Sequence, residues 1–88
     1  MKKIIKDKLI HRLKIIEGQV KGLGNMVEQD KYCIDVITQT SAVKQALSGI
    51  EDLLMENHLN TCAFDQIQKG KSTKATGEIL KVYRLKRK

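Results

Sequence analysis

Proline and tryptophan are absent from this 88-residue chain, and its aromatic residues are three, Tyr32, Phe64 and Tyr83. Without proline, nothing in the sequence forces a helix to break. With so few rings, any core must be packed from aliphatic side chains. No apolar run approaches the roughly 20 residues needed to cross a bilayer. The basic start, Met1-Lys2-Lys3-Ile4-Ile5-Lys6-Asp7, is followed by neither the apolar stretch nor the small-residue cleavage site of a signal peptide. These absences exclude secreted, membrane-spanning and large catalytic scaffolds and point to the cytoplasm. Cysteine is restricted to Cys33 and Cys62, and in such a chain two cysteines read as ligands or redox groups before they read as a structural bridge. The length allows a single domain. A chain this short buries only about 60–65% of its unfolded surface, so oligomerisation or a metal is expected to supplement its core.

Charge is plentiful and unevenly spread. The net charge is +7, with +5 carried by residues 1–24, −5 by residues 25–68 and +7 by residues 69–88. Two positive ends around an acidic middle suit a polyanionic partner that touches defined regions. The run Lys86-Arg87-Lys88 reads equally well as a solvated tail.

Apolar residues recur at Leu9, Leu13, Ile16, Val20, Leu23 and Val27, a heptad seam that predicts a helix over about 4–29. Gln29-Asp30-Lys31 is a polar break, with Asp30 as a candidate N-cap. A second seam, Val36, Thr40, Val43, Leu47, Ile50 and Leu54, predicts a helix over about 32–68. Gly70 suits a positive-φ turn. Ser72 or Thr73 then caps a short helix over about 72–85 with an apolar stripe of Ile79, Val82 and Tyr83. The expected fold is all-α, with three helices in the protomer. The second helix carries a further stripe (Ile37, Ala42, Ala46, Leu53), more than the first helix can cover, and Ser41, Ala42, Ala46 and Gly49 permit close backbone approach. The simplest resolution is an antiparallel homodimer forming a four-helix bundle.

Cys33, His58 and Cys62 carry the chemistry. His58 and Cys62 lie four apart on one helix, with Cβ atoms roughly 6 Å apart, and thiolate and imidazole at that spacing can share one metal ion. Cys33 precedes His58 by 25 residues, about 37 Å along a straight helix. An antiparallel partner related by a two-fold axis near Ala46 and Leu47 would bring its Cys33 beside His58 and Cys62, giving two inter-subunit sites per dimer. Two sulfurs and one nitrogen make a soft three-coordinate site suited to Cu(I). Structural zinc would call for a fourth ligand and usually a Cys-x-x-Cys pair. Tyr32 travels with Cys33, and a chain reversal at Gly70 sets Glu78 level with Cys62, so a phenol and a carboxylate are candidates to orient His58. On the first helix Lys3, Lys14 and Lys21 fall within roughly 20° of one another, while Arg12 lies elsewhere on the circumference. Without a helix-turn-helix or zinc-finger signature, DNA contact would be made by flat basic surfaces reading phosphates and shape. No nucleophile–base pair or phosphate loop suggests an enzyme.

The segments His11-Arg12-Leu13-Lys14-Ile15-Ile16-Glu17-Gly18-Gln19-Val20-Lys21-Gly22, Asp30-Lys31-Tyr32-Cys33-Ile34-Asp35-Val36, Gln39-Thr40-Ser41-Ala42-Val43 and Asn57-His58-Leu59-Asn60-Thr61-Cys62 together resemble the copper-sensing CsoR branch of the CsoR/RcnR family of bacterial repressors. The resemblance covers about residues 8–83. It implies a helical dimer paired again into a flat homotetramer, an apo form bound to double-stranded operator DNA, and release by an inducer that derepresses copper-resistance or efflux genes. Cys33 matches the family's shared cysteine, and His58 with Cys62 matches the Cu(I) pattern. Nickel and cobalt members have histidine where Cys62 stands, formaldehyde-responsive members lack the second cysteine, and persulfide-sensing members usually lose the histidine. Tyr32 and Glu78 match the copper branch's pair behind the histidine. Arg12 matches a basic position linked to DNA, and Lys3, Lys14, Lys21 and Lys44 complete the candidate DNA-facing set. Gly49 departs from members that carry an arginine there. Two other readings use the same residues: a persulfide-sensing repressor acting through Cys33 and Cys62, and a copper-buffering bundle that never meets DNA.

Overall fold

The computed structural model describes residues 1–87; Lys88, part of the basic terminal run, lies outside the described residues. The described residues are helical apart from short turns: α1 (Lys3–Glu28), α2 (Cys33–His58), a π-helical turn (Leu59–Ala63), α3 (Phe64–Gln68) and α4 (Ser72–Arg87). No helix is long and apolar enough to cross a membrane among the described residues. The chain divides into two compact units, residues 1–54 and 55–88.

In the first unit, α1 and the greater part of α2 share an aliphatic core. Leu9 and Ile16 of α1 and Val43 and Ile50 of α2 are buried, with Ile5, Leu23, Ala46 and Leu53 packed against them. The expected seams are therefore only half buried. On α1 the row Leu9, Ile16, Leu23 faces the core, while Leu13, Val20 and Val27 are 44%, 52% and 62% exposed. On α2 the row Val36, Val43, Ile50 turns inward, while Leu47 and Leu54 are 43% and 40% exposed and Thr40 is exposed too. The reason is geometric. One neighbouring helix can cover one side of a heptad seam, and a row offset by three or four residues stays open until further helices close over it. Ile37, assigned to the additional stripe, is 59% exposed, whereas Ala46 and Leu53 from the same stripe already pack on the core.

The two turns follow one pattern. At the end of α1 the amide of Asp30 donates to the carbonyl of Val27 (3.1 Å) and that of Lys31 to Met26 (3.0 Å). At the end of α3 the amide of Gly70 donates to Ile67 (3.1 Å) and that of Lys71 to Gln66 (2.7 Å). Both are Schellman closures, which need one residue at positive φ. Gly70 supplies it at φ 77° and Asp30 at φ 54°. Asp30 is thus the closing residue of α1, not the N-cap of α2; the first bonds of α2 return to the carbonyl of Tyr32. Ser72 and Thr73 likewise lie inside the first turn of α4, whose Ala75 amide donates to the carbonyl of Lys71.

In the second unit the most enclosed side chains are Ala63 and Ala75, 2% and 1% exposed, small enough to let helices approach closely. Ile79 and Val82 are partly covered, but Tyr83, assigned to the same stripe, is 59% exposed, with the Arg87 guanidinium 5.7 Å from its ring centroid.

The two positive-φ residues predict opposite responses. Asp30→Val forces a β-branched side chain into the left-handed region and costs about 1–2 kcal/mol of stability, whereas Asp30→Gly leaves the Tm unchanged or higher. Equal losses for both variants in thermal unfolding would contradict the Schellman assignment.

Candidate metal centre

His58 is the last α-helical residue of α2, and the backbone then widens into the π turn that holds Cys62. The sequence predicted an uninterrupted α-helix here. Asn60 and Thr61 are poor helix formers whose side chains compete for backbone partners, and the Thr61 hydroxyl donates back to the carbonyl of Asn57 at 2.7 Å. In an α-helix residues four apart overshoot one turn by about 40°. The π turn changes the winding between His58 and Cys62, which stay one turn apart on a helical backbone. Thr61 Oγ1 also lies 3.6 Å from Cys62 Sγ. The single hydroxyl proton is committed to the shorter carbonyl contact, so the oxygen is left as an acceptor facing the sulfur.

The imidazole of His58 is backed by a carboxylate. Its Nε2 lies 3.8 Å from Oε2 of Glu78 on α4, beyond hydrogen-bond range, so the contact is electrostatic. The other oxygen, Oε1, accepts a 3.1 Å hydrogen bond from Nε2 of Gln66 on α3. His58 Nε2 and Gln66 Oε1 are both enclosed without a hydrogen-bond partner. With Nε2 turned toward Glu78, Nδ1 is the ring nitrogen left to meet a metal. Glu78 thus stands beside His58 in the same chain. Gln66 is an addition. It follows His58 and Cys62 at a further spacing of four, a signal readable in the sequence.

Cys33, the first residue of α2, and Tyr32 just before it belong to the first unit, where both are exposed and Tyr32 is 70% so. Both cysteines carry free thiols. Among the described residues no three histidine, cysteine or acidic side chains converge into a group able to hold a metal ion. The second unit offers a histidine and a thiol with a carboxylate behind the ring. Imidazole and thiol are both soft donors, and a ring whose Nε2 faces a carboxylate is placed as a ligating imidazole usually is, with its other nitrogen free for a metal.

The basic candidates Lys3, Lys14, Lys21 and Lys44 are all exposed, and Arg12 is half-buried. Its guanidinium reaches α2 at Gly49, where a Cβ would sit 3.0 Å from an Nη atom.

Comparison with known proteins identifies the family. The family model of the metal-sensitive transcriptional repressors matches residues 5–84. The chain belongs to this family. It is 44% identical over 79 residues to the copper-sensing transcriptional repressor CsoR of Bacillus subtilis (strain 168), covering 90% of this chain and 78% of the relative. Against the copper-sensing transcriptional repressor RicR of Mycobacterium tuberculosis (strain ATCC 25618 / H37Rv) it is 46% identical over 65 residues, 74% of this chain and 68% of the relative. The fold superposes with a TM-score of 0.92 and 36% identity on the crystal structure of the copper-sensing repressor CsoR with Cu(I) from Geobacillus thermodenitrificans NG80-2, covering 100% of this chain and 92% of that one. These relatives place the chain in the copper-sensing branch, the resemblance that its motifs carried.

The Gly49 contact predicts a mild substitution. Gly49→Ala gains helix propensity of about 1 kcal/mol, and the flexible end of Arg12 yields the few tenths of an ångström required. A higher Tm is expected, and a marked loss would show the Arg12 seat to be rigid.

Proposed function

We propose that this protein is a Cu(I)-responsive transcriptional repressor whose apo form binds operator DNA and whose Cu(I)-bound form releases it, derepressing copper-resistance or efflux genes. The observation that carries this reading is His58, four residues from Cys62 across the π turn with Glu78 3.8 Å from its ring nitrogen, where no third donor converges among the described residues. Its relatives named as copper-sensing repressors support the choice of metal.

The missing donor is the partner's Cys33. The exposed rows Leu13, Val20, Val27 and Leu47, Leu54 are the surface on which a second copy packs to make an antiparallel four-helix bundle. In that pairing Cys33 and Tyr32 of each chain approach His58, Cys62 and Glu78 of the other, and two dimers assemble into the tetramer. When bound, Cu(I) supplies a soft centre that ties two thiolates and one imidazole across the chain boundary. Glu78 holds the far side of the ring, Tyr32 adds a phenol to the same surroundings, and the closed bundle excludes water. Lys3, Lys14, Lys21 and Lys44, with Arg12, present the charge that meets DNA phosphates. Weakening operator binding 100-fold requires a coupling of about 2.7 kcal/mol, within the ordinary allosteric range.

An anaerobic titration of Cu(I) into the protein–operator complex tests the proposal. Release is expected at one Cu(I) per protomer, and unchanged operator affinity at stoichiometric copper would refute it. His58→Ala is expected to abolish the copper response; a variant that still responded to a persulfide while the parent ignored copper would favour thiol sensing.

The apo protein's operator affinity should fall steeply with added salt, because phosphate contacts release counterions. Lys14→Ala is expected to lower the slope of log affinity against log salt by about 1. Tight copper binding by a protein with no salt-dependent affinity for duplex DNA would identify a buffering bundle instead.

A further inference from the structure

Gln66 contributes nothing to the donor set, yet it holds the carboxylate that stands behind the donor imidazole. Its Nε2 donates to Oε1 of Glu78 at 3.1 Å, and the second oxygen of the same carboxylate faces His58 Nε2 at 3.8 Å. We propose that Gln66 is a positioning residue of the metal centre: through Glu78 it fixes the ring orientation and tautomer of His58, so that the proton stays on Nε2 and Nδ1 is presented for ligation. This rests on the reading of His58 as a ligand and deepens it.

Three features support the assignment. First, Glu78 has a long side chain that is 41% exposed, so an unanchored carboxylate would sample several rotamers in solvent. The amide of Gln66 secures one oxygen and thereby aims the other. Second, the orientation of the amide is determined by its partner. Flipping it would place Oε1 against Oε1 of Glu78, acceptor against acceptor, so the amino group must face the carboxylate. Third, Oε1 of Gln66 is enclosed with no donor, a penalty that an apolar side chain at the same place would avoid. The position therefore keeps an amide at a cost, and what the amide does is hold Glu78.

The donor is removed with little change of shape by Gln66→Met, and Gln66→Glu keeps the shape while replacing the amide with a carboxylate. Unchanged helical circular dichroism establishes that each variant is folded. In the metal-free protein at mildly alkaline pH, nitrogen-15 NMR of the His58 ring is expected to show the Nε2–H tautomer dominant in the parent and a mixed population in both variants. Competition with a Cu(I) chelator is expected to show about tenfold weaker copper binding for Gln66→Met. In a Glu78→Ala background the same substitution should change copper affinity less than twofold, because a residue acting through Glu78 has nothing left to act on. An unaltered tautomer population, or an equal loss of affinity in both backgrounds, would overturn the proposal. The tautomer is read without copper, so it decides the role of Gln66 even if Cu(I) fails to release the operator from the parent protein.

Discussion

Each long helix of this protein carries two apolar rows, and one chain covers only one of them. Leu9, Ile16, Val43 and Ile50 close on each other, while Leu13, Val20, Val27, Leu47 and Leu54 remain in water. Burying apolar area is worth about 25 cal/mol per Å², so five half-exposed aliphatic side chains are a substantial driving force left unspent by the monomer. In the proposed dimer a second copy would close over those rows and complete the bundle, and the same closure would place a thiol from one chain beside the imidazole and thiol of another. In the proposed repressor, stability and ligation therefore depend on one contact. The metal centre is available to the extent that the apolar rows are covered.

That dependence fits the state of the candidate donors among the described residues. His58 has its ring nitrogen Nε2 enclosed and turned to a carboxylate at 3.8 Å, and Gln66 holds the other end of that carboxylate. The chain orients one candidate ligand in detail, and among the described residues no third donor converges on it. In the proposed dimer, dividing the three donors between protomers would make the bound state sensitive to how two chains are packed. Such differential binding between packing arrangements is the requirement for a ligand to shift an equilibrium at a distant surface.

Much of this was legible in the sequence, for particular reasons. The heptad spacing revealed both long helices because an amphipathic period survives whatever covers it. It did not reveal which row lies inside, since Leu9 and Leu13 are chemically the same residue and only the number of neighbouring helices separates them. Gly70 announced its turn because glycine accepts positive φ without a Cβ penalty. Asp30 makes the same closure but reads in the sequence as an N-cap, because aspartate is common at that position and its backbone angle leaves no trace in composition. The pairing of Glu78 with His58 was foreseen from the reversal at Gly70. Gln66 continues the spacing of four from His58 and Cys62, but a neutral amide beside Asp65 looks like ordinary surface in the sequence.

The π turn shows how local frustration can serve the site. Asn57-His58-Leu59-Asn60-Thr61-Cys62 contains two asparagines and a β-branched hydroxyl residue, all poor choices for a regular helix. The Thr61 hydroxyl takes the carbonyl of Asn57 and its oxygen faces the sulfur of Cys62. Weak helix formers at this point let the backbone leave the α winding between His58 and Cys62. The donors nevertheless stay on a helical framework rather than on a loop, which limits how far they can drift from each other. A ligand that bridges chains needs both properties: a pair of donors already aligned on one chain, and enough rigidity behind them to transmit to the partner the strain of completing the set.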